Sequence, residues 1–240
     1  MMNADTDCAV KNTCSDFTSS VIADGTDRSG ICFADNLFTS CLDLAIRALD
    51  TDFIQGIKTG TLDPTVYKDY ATQDAVYVYS GASLLSSLIT VCKHENLEDL
   101  EMFASAELEL WSDVATNMLT QWHITDPSNV VLNSAAAGYK NFMEKAFLTL
   151  PPYNAIIALL PCNRLWNWLG EQLLPYNKKV NVSMYCMDNN CSCASTTPLQ
   201  GLSCILLCRL DHGKAFEIFR KGMEHEVEFF ISVHPEKESE

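Results

Sequence analysis

Asp63-Pro64-Thr65-Val66-Tyr67-Lys68-Asp69-Tyr70-Ala71-Thr72-Gln73-Asp74-Ala75-Val76-Tyr77 decides how the rest of the chain reads. Aspartate followed at once by proline marks a helix start. The carboxylate accepts from first-turn amides, and proline there gives up an N–H that has no helical partner anyway. From this start the apolar pattern runs through Tyr70, Tyr77 and Leu84 to about Val91, which predicts a long helix. Upstream, Leu37, Cys41 and Leu44 fall at spacings of four and three and predict a helix over residues 36–46. Downstream, Asn96-Leu97-Glu98-Asp99 predicts another start, with acidic residues in its first turn, continuing past Trp111 toward Trp122. An Ala-rich segment over 129–149, a segment from Tyr153 to Leu174 and a last helix from His212 to Val233, ending before Pro235, complete the pattern. Residues 175–200 are the least periodic.

Strand signals are sparse. No Asn-Gly or Asp-Gly turn joins alternating apolar runs, no GxGxxG follows a strand, and no repeat of 20–50 residues occurs. Long helices around one core predict an all-α bundle. The expected organisation is a polar N-terminal arm over 1–33, a helical domain over 34–234 and a charged tail over 235–240.

Composition narrows the function classes. The chain has 240 residues, 48% of them hydrophobic, with only ten glycines and eight prolines, enough for one sizeable core. Its formal charge of −15 argues against nucleic acid and anionic membranes, both of which need clustered Lys and Arg. It favours neutral or cationic ligands over phosphate esters. The Met1-Met2-Asn3-Ala4-Asp5 start carries no secretory pattern, and the longest apolar run, Tyr153 to Leu160, is too short to span a bilayer. The expectation is a soluble, cytoplasmic protein with reduced thiols. Among eleven cysteines, Cys186, Cys191 and Cys193 crowd together, but with no CxxC pair or matching His pair they read as incidental thiols, not a zinc site.

Two stretches carry reactive chemistry. Pro161-Cys162-Asn163-Arg164-Leu165-Trp166-Asn167-Trp168 places a thiol at the start of an apolar helical segment, a position that lowers a thiol pKa toward the nucleophilic thiolate. In Met223-Glu224-His225-Glu226-Val227-Glu228-Phe229-Phe230, helical spacing puts Glu226 on the face of Met223, Phe229 and Phe230, with Glu224 and Glu228 on other faces. A carboxylate on an apolar stripe has a raised pKa and suits acid–base work.

In order along the chain, four segments resemble the thiaminase II (TenA) family. They are Gly60-Thr61-Leu62 with Tyr70-Ala71-Thr72-Gln73-Asp74-Ala75-Val76-Tyr77, then Asn133 to Phe142 around Tyr139, then Pro161-Cys162, and last Glu226-Val227-Glu228-Phe229-Phe230. The Cys162 and Glu226 segments look closest to the TenA-like domain fused to a phosphatase in plant thiamin monophosphate enzymes, although no phosphatase domain fits here. The resemblance implies a heme-oxygenase-like helical bundle and a homo-oligomer, dimer or tetramer. It further implies hydrolysis of an aminomethylpyrimidine or of thiamin to hydroxymethylpyrimidine in thiamin salvage, with no cofactor and no metal.

By the same resemblance Cys162 is the nucleophile and Glu226 the acid/base. Asp74 accepts from the amino edge of the pyrimidine, and Tyr77, Tyr139, Trp166 and Tyr185 contact the ring. Trp166 replaces the family's usual tyrosine and lacks its hydroxyl. Trp111 stands where relatives often carry histidine, and Tyr185 is the one remnant of a Y-x-x-W-I-x-x-Y segment. Two other readings remain at this point. One is a non-catalytic or repurposed bundle that binds a small heterocycle. The other, a diiron or heme-handling member of the fold, is disfavoured because Glu107-Leu108-Glu109-Leu110 lacks the Glu-x-x-His histidine and the five histidines form no such set.

Overall fold

The computed structural model describes residues 33–174 and 209–233, and every regular element among them is helical. In chain order these are α1 (Phe33–Thr39), α2 (Leu42–Leu49), α3 (Asp52–Thr59), α4 (Pro64–Glu95), α5 (Glu98–Gln121), a 3-10 turn (Pro127–Asn129) and α6 (Ser134–Thr149). Then follow α7 (Pro152–Ala155), which runs through a 3-10 turn (Ile156–Leu159) into α8 (Leu160–Leu173), and finally α9 (His212–Ser232).

Polar caps fix these boundaries. Asp63 accepts from the Thr65 amide at 2.8 Å to start α4, Asn133 from Ala136 at 2.9 Å to start α6, and Asp211 from Lys214 at 3.0 Å to start α9. α4 ends on Asn96, which adopts the left-handed conformation (φ 56°) that asparagine tolerates better than most residues. Asn96 and Leu97 alone separate α4 from α5, so the two longest helices pack as a hairpin.

The other helices close around α9, which packs on α6, α8 and α2. It is amphipathic in the expected register: Phe219, Met223, Glu226, Val227, Phe229 and Phe230 are buried, while Glu224 and Glu228 reach solvent. Phe230 stacks on Phe53 of α3, with ring centroids 5.6 Å apart, and Phe229 packs on Tyr70 of α4 at 4.7 Å. These contacts tie the C-terminal helix to the N-terminal ones.

Two expectations are corrected, and one helix lies where none was expected. The single helix over 36–46 is broken at Ser40-Cys41, where the Ser40 hydroxyl donates to the Leu37 carbonyl at 2.7 Å and offers the backbone a local alternative to the helix. Leu37, Cys41 and Leu44 are nonetheless all buried, as their spacing implied. Between Leu49 and Asp63 lies α3, capped by Thr51 and ended by Gly60 in the left-handed region (φ 71°), where a side chain would be strained. Finally, α4 is long and apolar enough to cross a membrane by length and composition alone, with mean hydropathy 1.5 over its best window. Half of that window is buried in the bundle, so its apolarity is equally that of a core helix.

Candidate active site

Helices α4, α5 and α8 enclose a cavity of about 190 Å³. Tyr70 and Asp74 face it from α4, Glu107 and Trp111 from α5, and Cys162 and Trp166 from α8. The four-residue steps from Tyr70 to Asp74, Glu107 to Trp111 and Cys162 to Trp166 each put two side chains on one helix face. Trp166 forms an aromatic wall, edge-on to Phe230 at 5.4 Å and tilted against Tyr70 at 6.1 Å.

Glu226 lies beneath this cavity and is 2% exposed. Its Oε1 accepts a hydrogen bond from the Tyr139 hydroxyl at 2.8 Å. Burial raises its pKa to about 8, with the nearby Asp74 charge adding to the rise; Tyr139 and the Cys162 thiol, by hydrogen bonding to it, hold it down. Near neutral pH it is therefore mostly a carboxylic acid. Asp74 is raised to about 7 by burial, against a hydrogen bond from the Tyr70 hydroxyl. What surface Asp74 keeps opens into the cavity, so that it is both partly accessible and thoroughly desolvated.

The low-pKa thiol expected at Cys162 does not occur. Burial first, then the carboxyl groups of Glu226 and Asp74, push it well above the usual thiol range. The reason is geometric as well as electrostatic. α8 has no free N-terminus, because Leu159 before it is already in the right-handed helical conformation at the end of the preceding 3-10 turn. No side chain caps α8, and no Lys, Arg or His lines the cavity among the described residues. Desolvation wins over the helix dipole. Cys162 rests as a protonated thiol beside the Glu226 carboxyl.

Tyr77 and Tyr139 sit behind the cavity wall, with their rings 4.4 Å apart. The buried Tyr77 hydroxyl makes no hydrogen bond of good geometry; its polar neighbour, the Tyr139 hydroxyl, is already given to Glu226. Tyr139 also stacks on His225, at 5.4 Å and 15°. Thus Asp74, Cys162 and Trp166 meet at the cavity, while Tyr77, Tyr139 and Glu226 lie next to it outside its lining. Tyr185 and the Cys186, Cys191 and Cys193 group lie outside the described residues. Among the described residues no three His, Cys, Asp or Glu side chains are arranged to hold a metal.

The sequence reading passed over Tyr70 and Glu107 as site residues. Both were legible in principle as the four-residue partners of Asp74 and Trp111, but nothing in the periodicity says which face of α5 meets a cavity. Trp111 in turn depends on Gly81 of α4. A Cβ at Gly81 would lie 2.2 Å from the indole Cζ3, so the bulk of Trp111 is accommodated only by the missing side chain opposite.

A second close approach sets the relation of thiol to acid. A Cβ at Gly222 of α9 would lie 2.5 Å from Cγ of Pro161, the residue before Cys162, while Glu226 stands one turn further along α9. We expect Gly222→Ala to push α8 off α9 and to lower stability by about 1–3 kcal/mol in urea denaturation. The separation of Cys162 from Glu226 should change with it. Unaltered stability would show that the ring of Pro161 yields without moving α8.

No protein-family profile and no curated protein matches the chain by sequence. Solved structures do match in fold. A TenA homologue from P. horikoshii OT3 superposes with a TM-score of 0.69 at 17% identity, covering 85% of this chain and 98% of that one. A protein described as a TenA family transcription regulator, from Silicibacter sp. TM1040, gives 0.71 at 13% identity, over 85% and 97%. A candidate TenA-like thiaminase from Sulfolobus solfataricus P2 gives 0.61 at 16%, over 83% and 94%. The all-helical fold of the chain is that of the TenA proteins.

Proposed function

We propose that this chain is an aminopyrimidine aminohydrolase of the thiaminase II type. It would hydrolyse 4-amino-5-aminomethyl-2-methylpyrimidine, or thiamin, to hydroxymethylpyrimidine. The observation that supports this most is the pairing of the Cys162 thiol with a buried acid, Glu226, raised to about 8 and held by Tyr139 under a cavity lined by Asp74. A simple buried cysteine needs no such partner. A fold shared with TenA proteins and the order of the four sequence motifs add to it.

The chemistry follows from the protonation states. The pyrimidine ring is a poor electrophile until a ring nitrogen is protonated. Glu226, mostly a carboxylic acid near neutrality, donates that proton and becomes the base that takes the proton of the Cys162 thiol. The sulfur then adds to the ring and breaks its aromaticity. The bond from the exocyclic methylene to the amine breaks, and the amine leaves with the electron pair and a proton. Water adds to the methylene, sulfur is expelled as the ring regains aromaticity, and the proton returns through Glu226. The balance is aminomethylpyrimidine plus water to hydroxymethylpyrimidine plus ammonia. Asp74 holds the amino edge of the ring, and Trp166 and Tyr70 flank its faces.

The test is steady-state chromatography of purified protein incubated with the aminomethylpyrimidine and, separately, with thiamin. Release of hydroxymethylpyrimidine from either is the expected result. Saturable pyrimidine binding with no release would instead identify a repurposed binding protein, and the absence of both would remove the pyrimidine altogether.

A further inference from the structure

Glu107 belongs to the same cavity but to none of the interactions described between Asp74, Cys162 and Glu226. It is the single carboxylate that α5 contributes to the lining, and it receives a hydrogen bond from Trp111 one turn on. Burial raises its pKa from the ordinary glutamate value. It is not among the groups that shift Cys162 or Glu226, which act on each other and are both acted on by Asp74. Glu107 faces this space from α5, whereas Asp74 faces it from α4 and Cys162 from α8. With Trp111 and Asn163 it also lines a second recess of about 20 Å³, room for one water-sized group. Among the described residues no Lys, Arg or His lines either cavity. The space thus offers carboxyl groups from two helices, Asp74 of α4 and Glu107 of α5, with no cationic side chain in its lining among the described residues.

A ligand that matches this space has a hydrogen-bond donor at one end and a positive charge at the other. Resting on the aminohydrolase reading, we propose that Glu107 is a specificity-determining residue whose carboxylate receives the positively charged group on the exocyclic methylene. The site then prefers pyrimidines with a cationic leaving arm, ammonium or thiazolium, over those with a neutral or phosphorylated arm. Charge-assisted hydrogen bonding in a partly desolvated wall is strong enough to set such a preference. A neutral arm leaves Glu107 desolvated and without a countercharge, and a phosphate places like charges together.

Calorimetric titration of the full chain tests this, in a Cys162→Ser background that blocks turnover. The probes are aminomethylpyrimidine, hydroxymethylpyrimidine and hydroxymethylpyrimidine phosphate. The aminomethyl compound is expected to bind about tenfold or more tighter than the hydroxymethyl one. Adding Glu107→Gln should erase that preference, leave hydroxymethylpyrimidine affinity within about twofold and improve phosphate binding. Glu107→Asp, which keeps the charge, should retain most of the preference and guards against a disturbed Trp111 contact. An unchanged preference in Glu107→Gln overturns the assignment, as does an equal loss of all three affinities, which would make Glu107 merely structural. If no pyrimidine binds even the unsubstituted protein, the aminohydrolase reading fails and this inference with it.

Discussion

Cys162→Ser is expected to lower kcat for release of hydroxymethylpyrimidine by about 10³-fold or more while leaving its binding within about twofold. Serine preserves the size and offers a donor beside Glu226, so the cavity and the buried acid stay in place. What it removes is the nucleophile. A thiol is the more acidic group and its anion the better attacking atom, and this difference matters most where nothing else assists ionisation. Cys162 lies in such a place: burial and two carboxyl groups oppose its thiolate, and no cationic side chain lines the cavity among the described residues. The thiol must therefore lose its proton during the reaction, to the carboxylate that Glu226 becomes. A hydroxyl needs a much stronger base and finds none. Steady-state kinetics alongside calorimetric binding of the product separate the two effects. Turnover within tenfold of the unsubstituted protein would show that sulfur never bonds to the ring.

What could be read from the sequence, and what could not, divides along a physical line. Local signals held. Asp63-Pro64 sits where a cap is needed, and Asp63 accepts the amide hydrogen bond its position predicts. The inward face of Glu226 followed from helical spacing because its neighbours Met223, Phe229 and Phe230 needed burial. Signals that depend on competing local interactions or on tertiary surroundings did not carry through. The hydroxyl of Ser40 ends α1 one residue before Cys41, although the apolar spacing runs on unbroken. Cys162 looked like a helix-start thiolate because a proline precedes it, but the chain before that proline is already wound. Glu107 was visible only as half of an absent metal motif. Its place in the cavity arises from how α5 lies against α4, and that packing is set partly by Gly81 receiving the Trp111 ring.

Glu226→Gln is expected to make the protein more stable at mildly alkaline pH while lowering turnover by about 10²–10⁴-fold. The two effects share one cause. In the folded chain Glu226 is raised from its ordinary 4.5 to about 8, so between these values the native state keeps a proton that the unfolded chain has released. Folding stability therefore falls as pH rises through this window, and the penalty is complete above about 8. Asp74, raised from 3.8 to about 7, contributes with the same sign at lower pH. Glutamine keeps the shape and can still accept from Tyr139, but it carries no proton to lose, so the Glu226 part of the pH dependence disappears. The gain above pH 8 should be a few kcal/mol, up to about 5, visible as a higher and flatter Tm profile. Below about pH 4.5 both forms are neutral and the gain should vanish. Catalysis fails because the amide neither protonates the ring nor accepts the proton of Cys162. Thermal denaturation across the pH range together with kcat on the aminomethylpyrimidine measures both. A variant whose stability keeps the original pH dependence would mean that Glu226 is not the buried acid, and the proton path to the ring would have to run through Asp74.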